Sequence, residues 1–506
     1  MTTFDIELLV LLPILLPLSF AILMLFAWKN LQFQRIINVV AGSTGFIVAI
    51  ILFSTIYVNG IQVVAIGGWK VPFGIVLVAD NFSAIMILMS GLMGFAVAFY
   101  SIVTVDTANE QHFYYPLLQI LLMGVNGAFL TGDMFNLYVW FEVMLISSFV
   151  LLALGGKQEQ LEGAVKYVTL NLVSSMIFLS AVGILYGMTG TLNMADLAVK
   201  VKLVENQGLV TVVAMMFLVS FGIKSAVFPL FSWLPASYHT PPVAVSALFA
   251  GLLTKVGVYT MYRVFTLIFD INNEFIGTVI LIIAGFTMVT GVLGAAAQND
   301  FRRILSFHIV SQVGYMVMAL GLMTAFSFAA GIFYIVYHIV TKTNLFFISG
   351  IVERIKGTYN LDTLGGLFKK YPSVSLLFLI SAFTLSGIPP FAGFWAKFTV
   401  ALAGFRIEQY LIVGVSLFVG LLTLYSMTKI WNYAFWQDEK QESEVEREFY
   451  KISINRKYLL YSPSIFMTVV ILLLSFFAGS AFDFAVLTGE QLANPQYYIN
   501  AVLGVR

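Results

Sequence analysis

The sequence predicts an all-α polytopic membrane protein of about fourteen transmembrane helices. Of its 506 residues, 60% are hydrophobic and only 10% charged, with a mean hydropathy of +0.94. Soluble domains carry roughly 25% charged residues. The apolar residues also fall into runs of the roughly 20 residues that a helix needs to cross a bilayer. Lipid must therefore solvate most of the surface.

The candidate spans are 6–27, 34–58, 80–103, 113–131, 134–155, 163–188, 209–233, 241–268, 275–298, 302–324, 327–352, 373–404, 408–434 and 460–484. Residues 1–7 carry Asp5 and Glu7 but no Lys or Arg, so the first run reads as a retained helix rather than a cleaved signal. Between the second and third spans, 59–79 holds Gly60, Gly67, Gly68, Pro72 and Gly74 among β-branched residues, the pattern of an extended hairpin outside the membrane. Asn193 to Leu203 reads as a short amphipathic interfacial segment. Asp438 to Lys457 reads as a solvent-exposed loop.

Basic residues set the orientation. With the N-terminus outside, 15 Lys and Arg face the inner side and 6 the outer, Arg263 and Arg506 among the latter. Both termini are then outside. Five lysines remain within or at the ends of spans: Lys224, Lys255, Lys342, Lys397 and Lys429. Lys429 stands near a helix end and can snorkel. The others lie deep, where a charge costs about 2.5–3.5 kcal/mol. Glu142, His308 and His338 add titratable groups within spans.

Buried charges can be structural pairs, but pairing needs acids, and Glu142 is the one convincing acid in the spans. Lysines without a partner in a low-dielectric medium can exist neutral, as a proton relay requires. Intramembrane ionisable groups mark ion pathways. Lys224, Lys255, Lys397 and Glu142 are thus candidate relay groups. His338 and Lys342, spaced i, i+4, share one helix face. His308 lies near a membrane edge, where a structural role serves equally well. His239, beside Pro241 and Pro242, is structural or gating. Asp133 caps the next helix.

Two spans are interrupted. Pro229 and Pro235 break the seventh, and Gly387, Pro389 and Pro390 the twelfth. Proline removes a backbone donor, and freed carbonyls at membrane depth are tolerated where they line a cavity or lie within protein. Each break has a lysine near it, Lys224 or Lys397. Breaks five spans apart imply an inverted repeat, spans 4–8 against 9–13. The organisation is then 1–110 (three spans and an extracellular hairpin), 111–270 and 271–435 (the two repeats), and 436–506 (cytoplasmic loop, last span and tail).

The run Lys224, Pro229, Trp233, Leu234, Pro235, His239, Pro241, Lys255 resembles the proton-translocating antiporter-like subunits. So do Gln298-Asn-Asp-Phe-Arg-Arg-Ile-Leu305 and Ser386-Gly-Ile-Pro-Pro-Phe-Ala-Gly393-Phe-Trp-Ala-Lys397. That family comprises large membrane subunits of respiratory complex I and of Mrp-type sodium/proton antiporters. The segment from Arg302 through His308 to Tyr315 is most similar to the D-type subunits of bacterial Mrp antiporters. The resemblance implies that Glu142 and Lys224 form the pair gating proton uptake and that Lys255 is the central relay. It implies that His338 and Lys342 continue the axis and that Lys397 is the exit lysine. It further implies H+ and Na+ as transported ions, other hydrophobic subunits as partners and a bacterial cytoplasmic membrane. The alternative is a proton-pumping subunit of a complex I-like oxidoreductase or a hydrogenase. No cofactor or metal is expected in this chain: there is no cysteine, no Gly-rich phosphate loop and no His-rich spacing. A net charge of +1 argues against nucleic acid.

Overall fold

A computed structural model describes residues 3–269, 273–439, 444–451 and 453–504. Lys440 and Arg506, an inner and an outer charge in the orientation above, lie outside the described residues. In chain order the long helices are α1 (Thr3–Phe26), α2 (Leu31–Asn59), α3 (Asn81–Thr104), α4 (Tyr114–Leu130), α5 (Met134–Ala153), α6 (Gln158–Thr189) and α7 (Gln207–Ser225). They continue with α8 (Val243–Leu267), α9 (Glu274–Ala297), α10 (Phe301–Gly321) and α11 (Ala325–Lys356). Then come α12 in two pieces (Pro372–Ser386 and Ala392–Arg406), α13 (Tyr410–Trp436) and α14 (Ile454–Phe476). Among the described residues, twelve helices are long and apolar enough to cross a membrane. The two expected spans that fall short of that length are α4 and the interrupted α12.

Polar side chains mark where the helices begin. Asp80, Asp133, Asp300 and Thr324 each accept a backbone N–H of the first turn of α3, α5, α10 and α11. The least apolar of the twelve helices are the most enclosed. α8, α10 and α11 have mean hydropathies of 1.6, 1.5 and 1.4 and are 94% buried, whereas α2, at 2.3, is 28% buried. The centre thus holds the helices that carry Lys255, His308, His338 and Lys342, as expected if lipid excludes charge.

Both breaks are built alike. Ser225 is followed by Ala226 in the left-handed region (φ 58°), and Ser386 by Gly387 (φ 84°). Val227 N–H then donates to Gly222 O, and Ile388 N–H to Phe383 O, each at 3.0 Å. A second construction recurs five helices apart. Asp133 bridges to Asn193 beyond α6, and Asp300 to Asn360 beyond α11. Met134 N–H reaches Leu192 O and Phe301 N–H reaches Tyr359 O, both at 2.9 Å. At the second break Gly393 is obligatory, because a Cβ there would overlap the Thr384 carbonyl. Gly393→Ala is expected to cost about 1–3 kcal/mol by overpacking; the check is a lower yield of monodisperse protein on size exclusion.

The hairpin forms as β1 (Gln62–Ala65) paired antiparallel with β2 (Val76–Ala79). Met194–Lys200 is a short helix with Met194, Ala195, Leu197 and Ala198 buried and an Asp196–Lys200 ion pair on its other face. Lys429 donates to Ala296 O and Gln298 O, closing the C-terminus of α9.

Two expectations need correction. The described part of 438–457 is not a solvated loop: Glu444–Lys451 is a helix with Glu446 and Phe449 buried. It is amphipathic over only two turns, too short for a span-length scan. Its Glu446 accepts from Lys356 (2.8 Å) and Tyr371 (3.1 Å), and Glu439 bonds Lys356 and Lys370 (2.6 Å), clasping the ends of α11 and α12. Burial opposes the charge of Glu439, but bonds from Glu446, Lys356 and Lys370 hold its carboxyl down to about 2. A depressed carboxyl stabilises the fold fully above the ordinary carboxylate range and loses that stabilisation as pH falls through about 2. Glu439 therefore keeps its charge in the clasp at neutral pH. Glu446→Ala is expected to speed tryptic cleavage at Arg447 without a change in pH; unchanged cleavage would count against the clasp. The last span also ends earlier than 484. α14 stops at Phe476, and Ala478–Ala493 (α15) and Gln496–Leu503 (α16) follow as separate helices. Gly489 of α15 sits against Ala325 and Ala329 at the start of α11.

Candidate functional site

Lys224 closes the last turn of α7, just before the break. It is 9% exposed, its Nζ donates to Ser175 Oγ of α6 (3.3 Å), and it lies 4.8 Å over the Phe141 ring. Glu142, next to Phe141, acts electrostatically on Lys224, yet no ion pair joins them among the described residues. Its Oε1 is buried without a hydrogen-bond partner. The break does not bind Lys224 either: the Ile223 carbonyl accepts the Ala226 N–H and Trp233 Nε1, both at 3.0 Å. A cavity of about 20 Å³, room for a water or two, runs from Lys224 past Asn171 and Tyr238 to Leu253.

Leu253 ends a π-helical stretch, Phe249–Leu253, inside α8. Such a bulge frees carbonyls from the regular ladder. One of them, Ala250 O, accepts Lys255 Nζ at 2.5 Å, so a fully buried ammonium is held by a backbone dipole rather than an acid. Lys342 Nζ donates to Leu305 O of α10 (3.0 Å). Lys397 Nζ takes Ser386 O, a carbonyl freed by the α12 break (3.1 Å), and lies 5.4 Å over the Tyr315 ring. The deep lysines thus share one solution: each points at a neutral oxygen, and none at a carboxylate.

The structure brings most of these groups within electrostatic reach of one another. Lys255, Lys342, His308 and Lys397 all act on His338, and Lys342 and Lys397 on His308. His338 is wholly buried with both ring nitrogens unpartnered. His308 lies among them. It is fully buried, its Nε2 bonds Ser426 Oγ of α13 (2.6 Å), and its Nδ1 is unpartnered. Thr254, Ser225, Thr341, Tyr337 and Ser386 also hold buried, unpartnered oxygens. Each such atom costs about 1–3 kcal/mol unless water satisfies it. His239 stands apart from this axis. Its Nδ1 bonds Pro235 O and its Nε2 accepts Arg303 Nε (3.1 Å). Burial and the charge of Arg303 push its imidazole down to about 4, so it is neutral at physiological pH and braces the loop after the break.

Sequence reasoning missed the tyrosines. Tyr334 lies one turn before His338, bonds Gln312 Oε1 (2.6 Å) and stacks on Tyr315, whose ring underlies Lys397. The spacing Tyr334, His338, Lys342 was the available signal, since it sets all three on one face of α11.

Comparisons with known proteins meet this geometry. The family model described as NADH:quinone oxidoreductase/Mrp antiporter, TM, matches residues 131–423. The chain belongs to that family. Within it, the chain is 47% identical to the D-type subunit of the Na(+)/H(+) antiporter of Alkalihalophilus pseudofirmus, over 98% of this chain and 99% of the relative. It is 42% identical to the corresponding antiporter chain of Bacillus subtilis, over 98% and 99%. A chain of the Mrp complex from Dietzia sp. superposes with a TM-score of 0.91 at 30% identity, covering 100% of both chains. The family match spans α5 to most of α13, the stretch that holds every candidate relay residue.

Proposed function

We propose that this chain is the proton-translocating D-type subunit of a multisubunit Mrp-type Na+/H+ antiporter, a secondary transporter in the bacterial cytoplasmic membrane. One observation carries the reading: a file of buried lysines and histidines in which the ammonium groups bond to neutral oxygens. A carboxylate fixed beside each lysine would trap its proton. A carbonyl or hydroxyl holds it loosely enough to pass on.

Glu142 supplies the switch. Drawn up to Lys224, its carboxylate holds the proton there; drawn away, as here, it releases the proton toward Lys255. From Lys255 the proton passes through His338, Lys342 and His308 to Lys397. Each transfer moves one proton from a charged donor to a neutral acceptor, so the charge moves while the residues return to their starting forms. The repeated breaks and Asp–Asn bridges support two inverted halves, 111–270 and 271–435, flanked by 1–110 and 436–506, with both termini outside. The partners are other hydrophobic subunits, and the ions H+ and Na+.

The experiment is a tagged pull-down in mild detergent, reconstituted into vesicles with an imposed pH gradient. Small hydrophobic partners and sodium-dependent collapse of the gradient are expected. Co-purification with flavin- or iron–sulfur-bearing chains that oxidise NADH would replace the antiporter reading with the respiratory one.

A further inference from the structure

A polar cavity of about 840 Å³ opens between the start of α6, the loop after the first break and the ends of α3 and α11. Charged groups of both signs line it, among them Asp106, Lys157, Glu353 and Arg354. Lys157 and Arg354 belong to the side predicted to face inward. The relay residues do not line it. What stands between is Arg302.

Arg302 is 4% exposed and reaches across from α10 to α8. Its Nη2 donates to Pro241 O (2.6 Å) and to Ser246 Oγ, and its guanidinium stacks on the Tyr359 ring at 5.1 Å. Its Nε is buried and unpartnered. Ser246 lies four residues before Ala250, the carbonyl that holds Lys255, and Arg302 lies three before Leu305, the carbonyl that holds Lys342. On two separate helices, then, the guanidinium sits one turn from the anchor of a relay lysine.

We propose that Arg302 is a charge gate. Its guanidinium closes the floor of this cavity against hydrated protons and admits them to Lys255 and Lys342 only when its bond to Ser246 is released. The inference rests on the proton-relay reading. An arginine suits the task because it stays protonated at any physiological pH. A fixed positive charge between low-dielectric walls repels a cation as strongly as a negative one would focus it. Its Nε is unpartnered, and its holds are a carbonyl, a hydroxyl and a ring with no ion pair to a carboxylate among the described residues, which lets it swing toward the cavity once the Ser246 bond breaks.

The test uses the whole complex in membrane vesicles, with choline in place of sodium and a pH-sensitive dye reporting an imposed gradient. Wild-type and Arg302→Lys vesicles should hold the gradient. Arg302→Gln should dissipate it at least about tenfold faster, the lower end of the effect of a charged cleft on local ion concentration. Adding Lys255→Ala and Lys342→Ala together to Arg302→Gln should restore tightness, because the leak runs through the relay. Ser246→Ala, which keeps the charge but removes its anchor, should leak to an intermediate degree. Arg302→Gln vesicles as tight as wild type, at equal protein level, would overturn the gate, as would a leak that persists when both lysines are also replaced. If Arg302→Gln does not assemble, tight Ser246→Ala vesicles overturn it alone. Failure of the relay reading itself would look different: sodium-dependent exchange would survive Lys224→Ala whatever the leak.

Discussion

Replacing Lys255 with alanine is expected to lower sodium-dependent proton exchange by at least about 100-fold, the usual weight of a positioned proton carrier. Assembly of the complex should survive. Alanine leaves Ala250 O without its donor, but the carbonyl sits in a π-helical stretch beside a water-sized cavity that can supply one. Lys255→Arg sharpens the result. An arginine keeps the charge and the bond to Ala250 but does not release its proton. If Lys255 is a carrier, arginine is as inactive as alanine; if it only holds helices together, arginine restores exchange. Antiport rate against pH in reconstituted vesicles, normalised to chain content, reads both outcomes.

The second large effect concerns folding. Arg263, assigned from sequence to the outer loops, is 4% exposed. Its guanidinium meets both carboxylate oxygens of Asp80, at 2.6 and 2.8 Å, and stacks on Tyr259 and Tyr498 at 5.4 and 5.1 Å. It thereby ties the start of α3, the end of α8 and the C-terminal α16 into one corner. Burial works against the Asp80 charge, and the charge and hydrogen bond of Arg263 together with the first-turn amide of Ser83 overcome it. Removing one partner leaves an uncompensated buried charge, which costs about 3–5 kcal/mol. Asp80→Asn or Arg263→Met should therefore lower the thermal unfolding midpoint of the detergent-solubilised complex markedly. Replacing both together with apolar residues should recover much of the loss, because the cost lies in the orphaned charge. A double variant as unstable as the worse single one would instead assign the effect to lost packing around Tyr498.

What the sequence reveals and what it hides follow from one distinction. Features that repeat locally are legible. The spans show as apolar runs, the breaks as Pro229 and Gly387–Pro390, and the relay lysines as charges where hydropathy forbids them. Lys429 differs from them by position: it stands in the last turn before the π-helical end of its helix, only partly buried, and bonds the carbonyls that close α9. Features that depend on distant pairing are hidden. Asp80 and Arg263 are 183 residues apart, and Lys356 and Glu446 are 90 apart. Each residue alone looks like an ordinary boundary charge. The burial of His308 is hidden for the same reason. Its partner Ser426 lies 118 residues away on α13, and neither residue alone signals the pairing. The expected contact between Glu142 and Lys224 is likewise absent as an ion pair, because Lys224 turns to Ser175 and the Phe141 ring.

The central claim is that protons cross on the buried lysines, with Lys224 the first that Glu142 controls. The most direct measurement is sodium-dependent proton exchange in vesicles carrying the complex with Lys224→Ala, at wild-type chain content and with partners present. The account predicts that exchange is lost while the complex stays assembled and the vesicles stay tight. Exchange at the wild-type rate would contradict it, and would mean that protons cross by another route.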